Sequence, residues 1–351
     1  MSTIFILPVA SQPRYIKRVS ARIEGGERDV KVFYFGRKYF KKNELPLASS
    51  PEMIGELSHG KYFRRSFLLP YYIFRRVKDI KKFNNLYIFS PDVLILLALF
   101  FMGQKYITYE MGDLRTISNS LLNKIFNYFL MKALKGVDEV VVTSEGFIDY
   151  LVKELSVHPQ KIRIIENKVP KKILNLSKRH TFSRLSNKPL VIGVVGLLRY
   201  KSALAFVKAV ATSTQHLKVL VFGAGPLLDS IVEVTNDKVK YLGDYKYPDD
   251  LPCIYSKIDV NFVVYDADNI NVKLAMPNKF YESIFFSKPL IVSKNTFLAE
   301  RTLSYNVGIA WDNNDMQGLA AYLDSPDFFK IYNSFEKSFN NVALKQVIDQ
   351  K

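Results

Sequence analysis

The chain is organised by one repeating pattern: short runs of β-branched and other apolar residues, each followed by a segment that suits a helix. In the first half the runs are Ile4–Ala10, Val30–Phe35, Leu86–Phe89, Tyr106–Tyr109, Glu139–Thr143 and Ile162–Ile165. In the second half they are Leu190–Val195, Lys218–Phe222, Val239–Leu242, Val260–Val264, Pro289–Val292 and Gly308–Trp311, with helices expected over Ala203–Ala211 and Leu227–Glu233. Such alternation predicts parallel strands joined by crossover helices. Between the halves, LSKRHTFSRLSNKP at 176–189 is polar, basic and aperiodic, and reads as a linker. With 351 residues, too many for one growing core, the expectation is α/β with two doubly wound domains. Their bounds are 1–175 and 190–326, followed by an amphipathic helical tail at 327–351 that could pack on either domain. Sheets of this kind bind ligands beyond the carboxyl ends of their strands, so a site is expected in a cleft between the domains.

Composition removes several alternatives. Hydrophobic residues make up 48% and charged residues 24%, the balance of a globular chain. The single cysteine, Cys253, excludes an internal disulfide framework, and His59, His158, His180 and His216 have no zinc-ligand spacing. A reducing, cytoplasmic setting fits. MSTIFILPVASQPRYIKR places its apolar run before its positive charges and reads as a first strand rather than a secretory leader. The longest apolar run, Val93 to Met102, falls short of the roughly 20 residues that a membrane-spanning helix needs.

Three features of the second half could meet a nucleoside diphosphate. In VIGVVGLLRYKS (191–202), Gly196 lets backbone approach a ligand, and Arg199 and Lys201 follow at the strand's carboxyl end. A planar guanidinium and a mobile ammonium suit phosphate oxygens, although a solvated basic turn is the alternative. In VFGAGPLLDS (221–230), Gly223 and Gly225 resemble a dinucleotide fingerprint, but Leu228 stands where the third glycine belongs, which favours a tight strand-to-helix turn. In MPNKFYESIFFSKPLIVS (276–293), Pro277 suits a first helical turn and Asn278 can cap it, with the helix expected over about Lys279–Phe286. Glu282 then lies one turn in, on the side of Asn278, either reaching a ribose or complementing the helix dipole.

The ordered series GLLRYK, FGAGP, VKYLGDY, LPCIYSKIDV and PNKFYESIFFSKPLIVS resembles the C-terminal half of group 1, family-4-like glycosyltransferases of GT-B fold, the enzymes of capsule, exopolysaccharide and O-antigen synthesis. QPRYIKRVSARI, YEMGDL, VDEVVVTSEGF and KIRIIENKVP extend the resemblance to the first half. It implies two Rossmann-like domains, the first binding the acceptor and the second a nucleotide-sugar donor. It implies that Glu282 holds the donor ribose hydroxyls, that Arg199 and Lys201 bind the diphosphate, and that Asn278 and Lys279 lie near phosphates or sugar. It also implies that Asp244 and Tyr245 lie beside the base. Many members carry a second glutamate eight positions before the ribose-binding one; Leu274 stands there in this chain, leaving the sugar contact open.

Glycosyl transfer requires a stabilised leaving diphosphate and a deprotonated acceptor hydroxyl. Glu110 and Asp113 in YEMGDLR follow a strand of the first domain, and Asp113 is the candidate base if the reaction inverts; if it retains, these acids orient the acceptor. An ion-pair network with Arg115 in a surface loop is the alternative for both acids. Asp266 and Asp268 in VVYDADN mimic a metal-binding Asp-x-Asp, but they follow a late strand and read as a loop near the sugar, so neither a metal nor a cofactor is expected. Tyr265 and Phe280 could shape the pocket.

The net charge of +17 calls for an anionic partner. KYFRRSFLLPYYIFRRVKDIKKF (61–83) carries eight Lys or Arg against one Asp, interleaved with aromatic and aliphatic residues. That composition suits an amphipathic segment on an anionic bilayer, each basic residue contributing about 1 kcal/mol near the surface. The lipid-linked acceptors of the resembled family agree with a peripheral position on the inner face of the cell membrane. No nucleic-acid-reading motif is present in the sequence. A GT-B-like sugar-nucleotide epimerase and a basic non-catalytic binding protein are the competing readings.

Overall fold

A computed structural model describes residues 2–10, 12–36, 45–57, 62–115, 120–177, 181–183 and 188–349, the side chains of 13, 62–66 and 99 apart. Residues 178–180 and 184–187 of the expected linker, residue 61 of the basic segment, and His59 and His180 lie outside them. The chain divides into two compact units, Met1–Glu166 and Asn167–Lys351.

In the first unit, strands β1 (Ser2–Leu7), β2 (Asp29–Gly36), β3 (Pro51–Glu56), β4 (Asn85–Ile88), β5 (Tyr106–Met111), β6 (Glu139–Val142) and β7 (Ile162–Ile164) form one sheet. Their order is β3-β2-β1-β4-β5-β6-β7, and every pairing is parallel. β1 thus pairs with β2 on one side and β4 on the other, so the connections diverge at its carboxyl end. β3 was not expected from sequence. Its six residues, PEMIGE, include a proline, a glycine and two acids, a composition tolerated because this edge strand pairs only with β2.

The second unit repeats the design with β8 (Leu190–Val195), β9 (Leu217–Phe222), β10 (Val239–Tyr241), β11 (Val260–Val263), β12 (Leu290–Ser293) and β13 (Gly308–Trp311). The order is β10-β9-β8-β11-β12-β13, again all parallel. Helices cover both faces, which is why β8 and β11 read as nearly unbroken apolar runs, LVIGVV and VNFV. One face packs Phe206, Val207 and Val210 of the helix Lys201–Thr212, and the other packs Tyr281, Ile284 and Phe285 of the helix Asn278–Phe285. The divergence point here is β8, between β9 and β11.

The second unit begins at Asn167, earlier than the boundary expected at 175. The reason is local: Val169 and Ile173 are buried in that unit's core, and Val169 exchanges backbone hydrogen bonds with Val347 (2.9 Å) and Asp349 (2.9 Å). The tail belongs to the same unit. Its helix, Pro326–Asn341, starts at a Ser325 cap and buries Phe328, Tyr332, Phe335 and Phe339, the first two against one core cluster and the last two against the other. Phe335→Ala is accordingly expected to cost about 3–5 kcal/mol, as for other buried phenylalanine truncations, measured as a shift in the urea midpoint.

Candidate active site

The helix Asn278–Phe285 begins one residue earlier than the sequence suggested. Pro277 takes the cap position with extended backbone (φ −77°, ψ 153°), Asn278 is already helical, and no side chain caps the first turn. Every residue from Lys279 to Phe285 is buried, including two of opposite charge. Lys279 Nζ donates to Glu282 Oε2 at 2.7 Å and to Tyr245 Oη at 3.1 Å. Tyr255 Oη donates to the same Oε2 at 2.9 Å, and Asn261 Nδ2 donates to Tyr255 Oη at 3.1 Å and to Ser283 Oγ at 2.7 Å. Burial disfavours the Lys279 charge, but Glu282 and Tyr245 outweigh it and raise its pKa above the ordinary lysine value. Burial, followed by the Glu282 charge, pushes the Tyr255 phenol well up, so it stays a donor.

The two oxygens of Glu282 differ. Oε2 is fully engaged, whereas Oε1 is buried and has no hydrogen-bond partner among the described residues. Such an orphaned polar atom costs about 1–3 kcal/mol, more when charged, unless a ligand donor meets it. Vicinal hydroxyls are donors of the right kind. Lys279, expected near the phosphates or sugar, spends its ammonium on Glu282 and Tyr245.

Gly196 ends β8 in a left-handed conformation (φ 126°), and a side chain added there would meet Lys279 Cε at 3.4 Å. Gly223 and Gly225 are each crowded by the backbone of the neighbouring loop. A Cβ on Gly223 would lie 1.9 Å from Gly196 O, and one on Gly225 would lie 2.4 Å from Leu198 O. They let the loop after β9 pack against the loop after β8, as the tight-turn reading held. Arg199 is exposed beyond that loop, its guanidinium donating to Tyr200 Oη at 2.7 Å. Tyr200 stacks on Tyr265 at 4.4 Å, joining the loops after β8 and β11 across the divergence point. Asp244 is exposed and accepts from its neighbour Tyr245 N at 2.8 Å; Tyr245 alone of the pair turns toward Lys279.

Lys201 opens the helix Lys201–Thr212, and the anion at that N-terminus is supplied by the chain itself. Asp266 Oδ2 accepts from Lys201 N and Oδ1 from Ser202 N, both at 2.9 Å. The Asp-x-Asp look-alike is therefore half a helix cap. Lys201, Asp266 and Asp268 line a cavity of about 580 Å³ with Lys273, Lys294 and Asn313. Among the described residues, no three His, Cys, Asp or Glu side chains gather as metal ligands.

In the first unit the two candidate acids separate. Glu110, on β5, is wholly buried: Arg18 Nε donates to its Oε2 at 2.8 Å, Arg18 Nη2 to Oε1 at 3.3 Å, and Tyr87 Oη to Oε2 at 2.6 Å, with Arg14 Nε 3.7 Å away. A carboxylate with no exposed surface and both oxygens engaged by its own unit has no oxygen to offer an acceptor hydroxyl, which corrects the expectation of a catalytic Glu110. Asp113 is exposed at the end of the same strand's loop. Arg14 lies directly over Gly112, where a Cβ would fall 1.4 Å from its Nη1. Burial opposes the Arg14 charge, but Tyr15, Glu110 and Asp113 prevail and raise its pKa. Arg115 pairs with Asp92 at 3.3 Å rather than with Glu110. Tyr255, Asn261, Arg14 and Arg18 were missed as site residues; Tyr255 and Arg18 reach their carboxylates across 27 and 92 residues, separations that no local pattern carries.

No protein-family model matches the sequence. The chain is similar to the succinoglycan biosynthesis protein ExoL of Rhizobium meliloti (strain 1021), 22% identical over 92% of this chain and 84% of that protein. Its fold is similar to that of Anabaena HepE, solved in complex with UDP-glucose, with a TM-score of 0.67 and 15% identity over 99% of this chain and 96% of that one. It is also similar to WaaG, a glycosyltransferase involved in lipopolysaccharide biosynthesis, with a TM-score of 0.66 and 10% identity over 98% and 97% of the two chains. The fold, two parallel-sheet α/β units in one chain, is that of the GT-B glycosyltransferases, as the motif series implied.

Two outcomes follow for stability. Glu282→Ala strands the Lys279 ammonium and is expected to cost about 3–5 kcal/mol, as for a broken buried pair, whereas Glu282→Gln keeps an acceptor oxygen and costs less; chemical denaturation separates them. Asp266→Ala removes a cap and is expected to cost about 0.5–2 kcal/mol by the same measurement.

Proposed function

We propose that the chain is a glycosyltransferase that moves a sugar from a nucleoside-diphosphate donor, held by the second unit, to a lipid-linked saccharide acceptor, held by the first, in the synthesis of a cell-surface polysaccharide. The observation that carries this reading is Glu282: a buried carboxylate with one oxygen fixed by Lys279 and Tyr255 and the other unmatched. A ribose offers two adjacent hydroxyl donors to such a group. HepE, solved in complex with UDP-glucose, makes a UDP-sugar the first donor to test.

In this reading the base lies against Tyr245, with Asp244 and Asn278 at the margin of the pocket, and the diphosphate meets the side chains of Arg199 and Lys201. Because Asp266 already occupies the amides of Lys201 and Ser202, leaving-group stabilisation falls to those two cations. No metal or cofactor is required. Asp113, exposed beside Arg14, receives the acceptor proton if configuration inverts and orients the acceptor if it is retained. Glu110 holds Arg14 and Arg18, the first of them beside Asp113. The acceptor's lipid places the protein on the inner face of the membrane, where exposed Arg75, Lys78, Lys81 and Lys82 of the basic segment face anionic headgroups.

The test is turnover of a nucleotide-sugar panel with and without a lipid-linked oligosaccharide acceptor and with EDTA. Acceptor-dependent release of UDP that survives EDTA is expected. Glu282→Gln is expected to weaken donor binding about tenfold or more, the worth of one or more charge-assisted hydrogen bonds, and Asp113→Asn to lower kcat with donor binding intact. Unchanged donor affinity in Glu282→Gln would remove the ribose assignment.

A further inference from the structure

The exposed apolar residues of the first unit are concentrated on neighbouring helices. On the helix Ser120–Lys135, Leu121, Leu122, Ile125, Tyr128 and Phe129 are all about half exposed or more. Their spacing of i, i+1, i+4, i+7 and i+8 puts them on one face, while Leu130, Ala133 and Leu134 on the opposite face are buried. Single exposed apolar side chains are ordinary on protein surfaces; five on one helical face are a patch. The patch has neighbours. The helix Ser120–Lys135 packs beside the helix Pro91–Phe101, whose Phe100 meets Phe74 edge-on at 5.2 Å. Phe74 belongs with Phe67 and Tyr71 to the outward face of the helix Tyr62–Phe74.

Charge identifies the occupant. The helix SLLNKIFNYFLMKALK contains Lys124, Lys132 and Lys135 and no acid, and all three lysines are exposed. Lys132 Nζ lies 5.5 Å from the Tyr128 ring, inside the apolar face. Exposed Arg75, Lys78, Lys81 and Lys82 continue the basic rim beyond Phe74. Pairing this face with a second copy would bring like charges together. A bilayer bearing anionic headgroups satisfies both parts, taking the aliphatic and aromatic side chains at its acyl boundary and the ammonium groups among its phosphates.

We infer that the helix Ser120–Lys135 is a membrane-docking element that inserts Leu121, Leu122, Ile125, Tyr128 and Phe129 into an anionic leaflet, with the aromatic face of Tyr62–Phe74 as a second point of contact. The inference rests on the peripheral-membrane reading above and is independent of glycosyl transfer. It shifts the principal anchor from the basic segment 61–83 to a helix whose lysines and apolar stripe share one surface.

The experiment is co-sedimentation of the intact chain with vesicles of phosphatidylcholine alone and of phosphatidylcholine mixed with phosphatidylglycerol. Binding to the mixed vesicles only is expected. The exposed-face variant Leu121→Ser/Ile125→Ser/Phe129→Ser is expected to lose about tenfold or more in partitioning, and Lys124→Gln/Lys132→Gln/Lys135→Gln about tenfold to a hundredfold, each charge contributing near the surface. Both variants should keep wild-type circular dichroism and UDP binding, because no substituted side chain belongs to the core or to the second unit. Wild-type chain that ignores both vesicle types, or variants that bind as wild type, would overturn the proposal. So would a dimer in sedimentation velocity that the Ser variant makes monomeric. Vesicle binding without any nucleotide-sugar turnover would leave the docking element standing and remove the transferase reading instead.

Discussion

The second unit depends on a single charged pair placed where apolar residues would be expected. Lys279 and Glu282 face each other inside a helix buried along almost its whole length, and neither is tolerable there alone. Their attraction lets the helix Asn278–Phe285 present a carboxylate at the carboxyl ends of the strands while Tyr281, Ile284 and Phe285 fill the core. Tyr255 and Asn261 extend the network to the helix Leu251–Ser256 and to β11, so three elements fix the carboxylate's orientation. Rigidity of this kind suits the proposed role of meeting two ribose hydroxyls in one geometry.

The same logic organises the first unit with the signs in another arrangement. Glu110 is the buried group and Arg18, Arg14 and Tyr87 are drawn to it from β4 and the helix Pro13–Glu24. Of the two carboxylates that the sequence put forward for chemistry, Glu110 is thus the keystone that sets Arg14 over Gly112, and Asp113 is the outward acid. In both units the buried ion pairs lie near the carboxyl ends of strands, where α/β sheets keep their ligands.

Much of the architecture was legible because parallel strands covered on both faces leave strong local signals. The runs at β8 and β13 matched to the residue, and β9, β10, β11 and β12 to within one. β3 was invisible because an edge strand needs little hydrophobicity, and the unit boundary was misplaced because Val169 is tied to its unit by backbone hydrogen bonds with Val347 and Asp349, near the far end of the sequence. Glu282 could be singled out by its position in an apolar helix. Its engagement by Tyr255 could not, nor could the burial of Glu110, since both are set by contacts between distant segments. Asp266 and Asp268 mimicked a metal-binding motif because two aspartates separated by one residue look the same whether they face an ion or a helix terminus.

Asp266 also carries a consequence for selectivity. A carboxylate held by the fold on the amides of Lys201 and Ser202 is a tethered competitor, present there at an effective concentration of about millimolar or more. Free phosphate, sulfate and other small anions must outcompete it one contact at a time. A nucleotide anchored elsewhere by its sugar and base does not depend on that terminus. The fold thereby disfavours small free anions at that terminus.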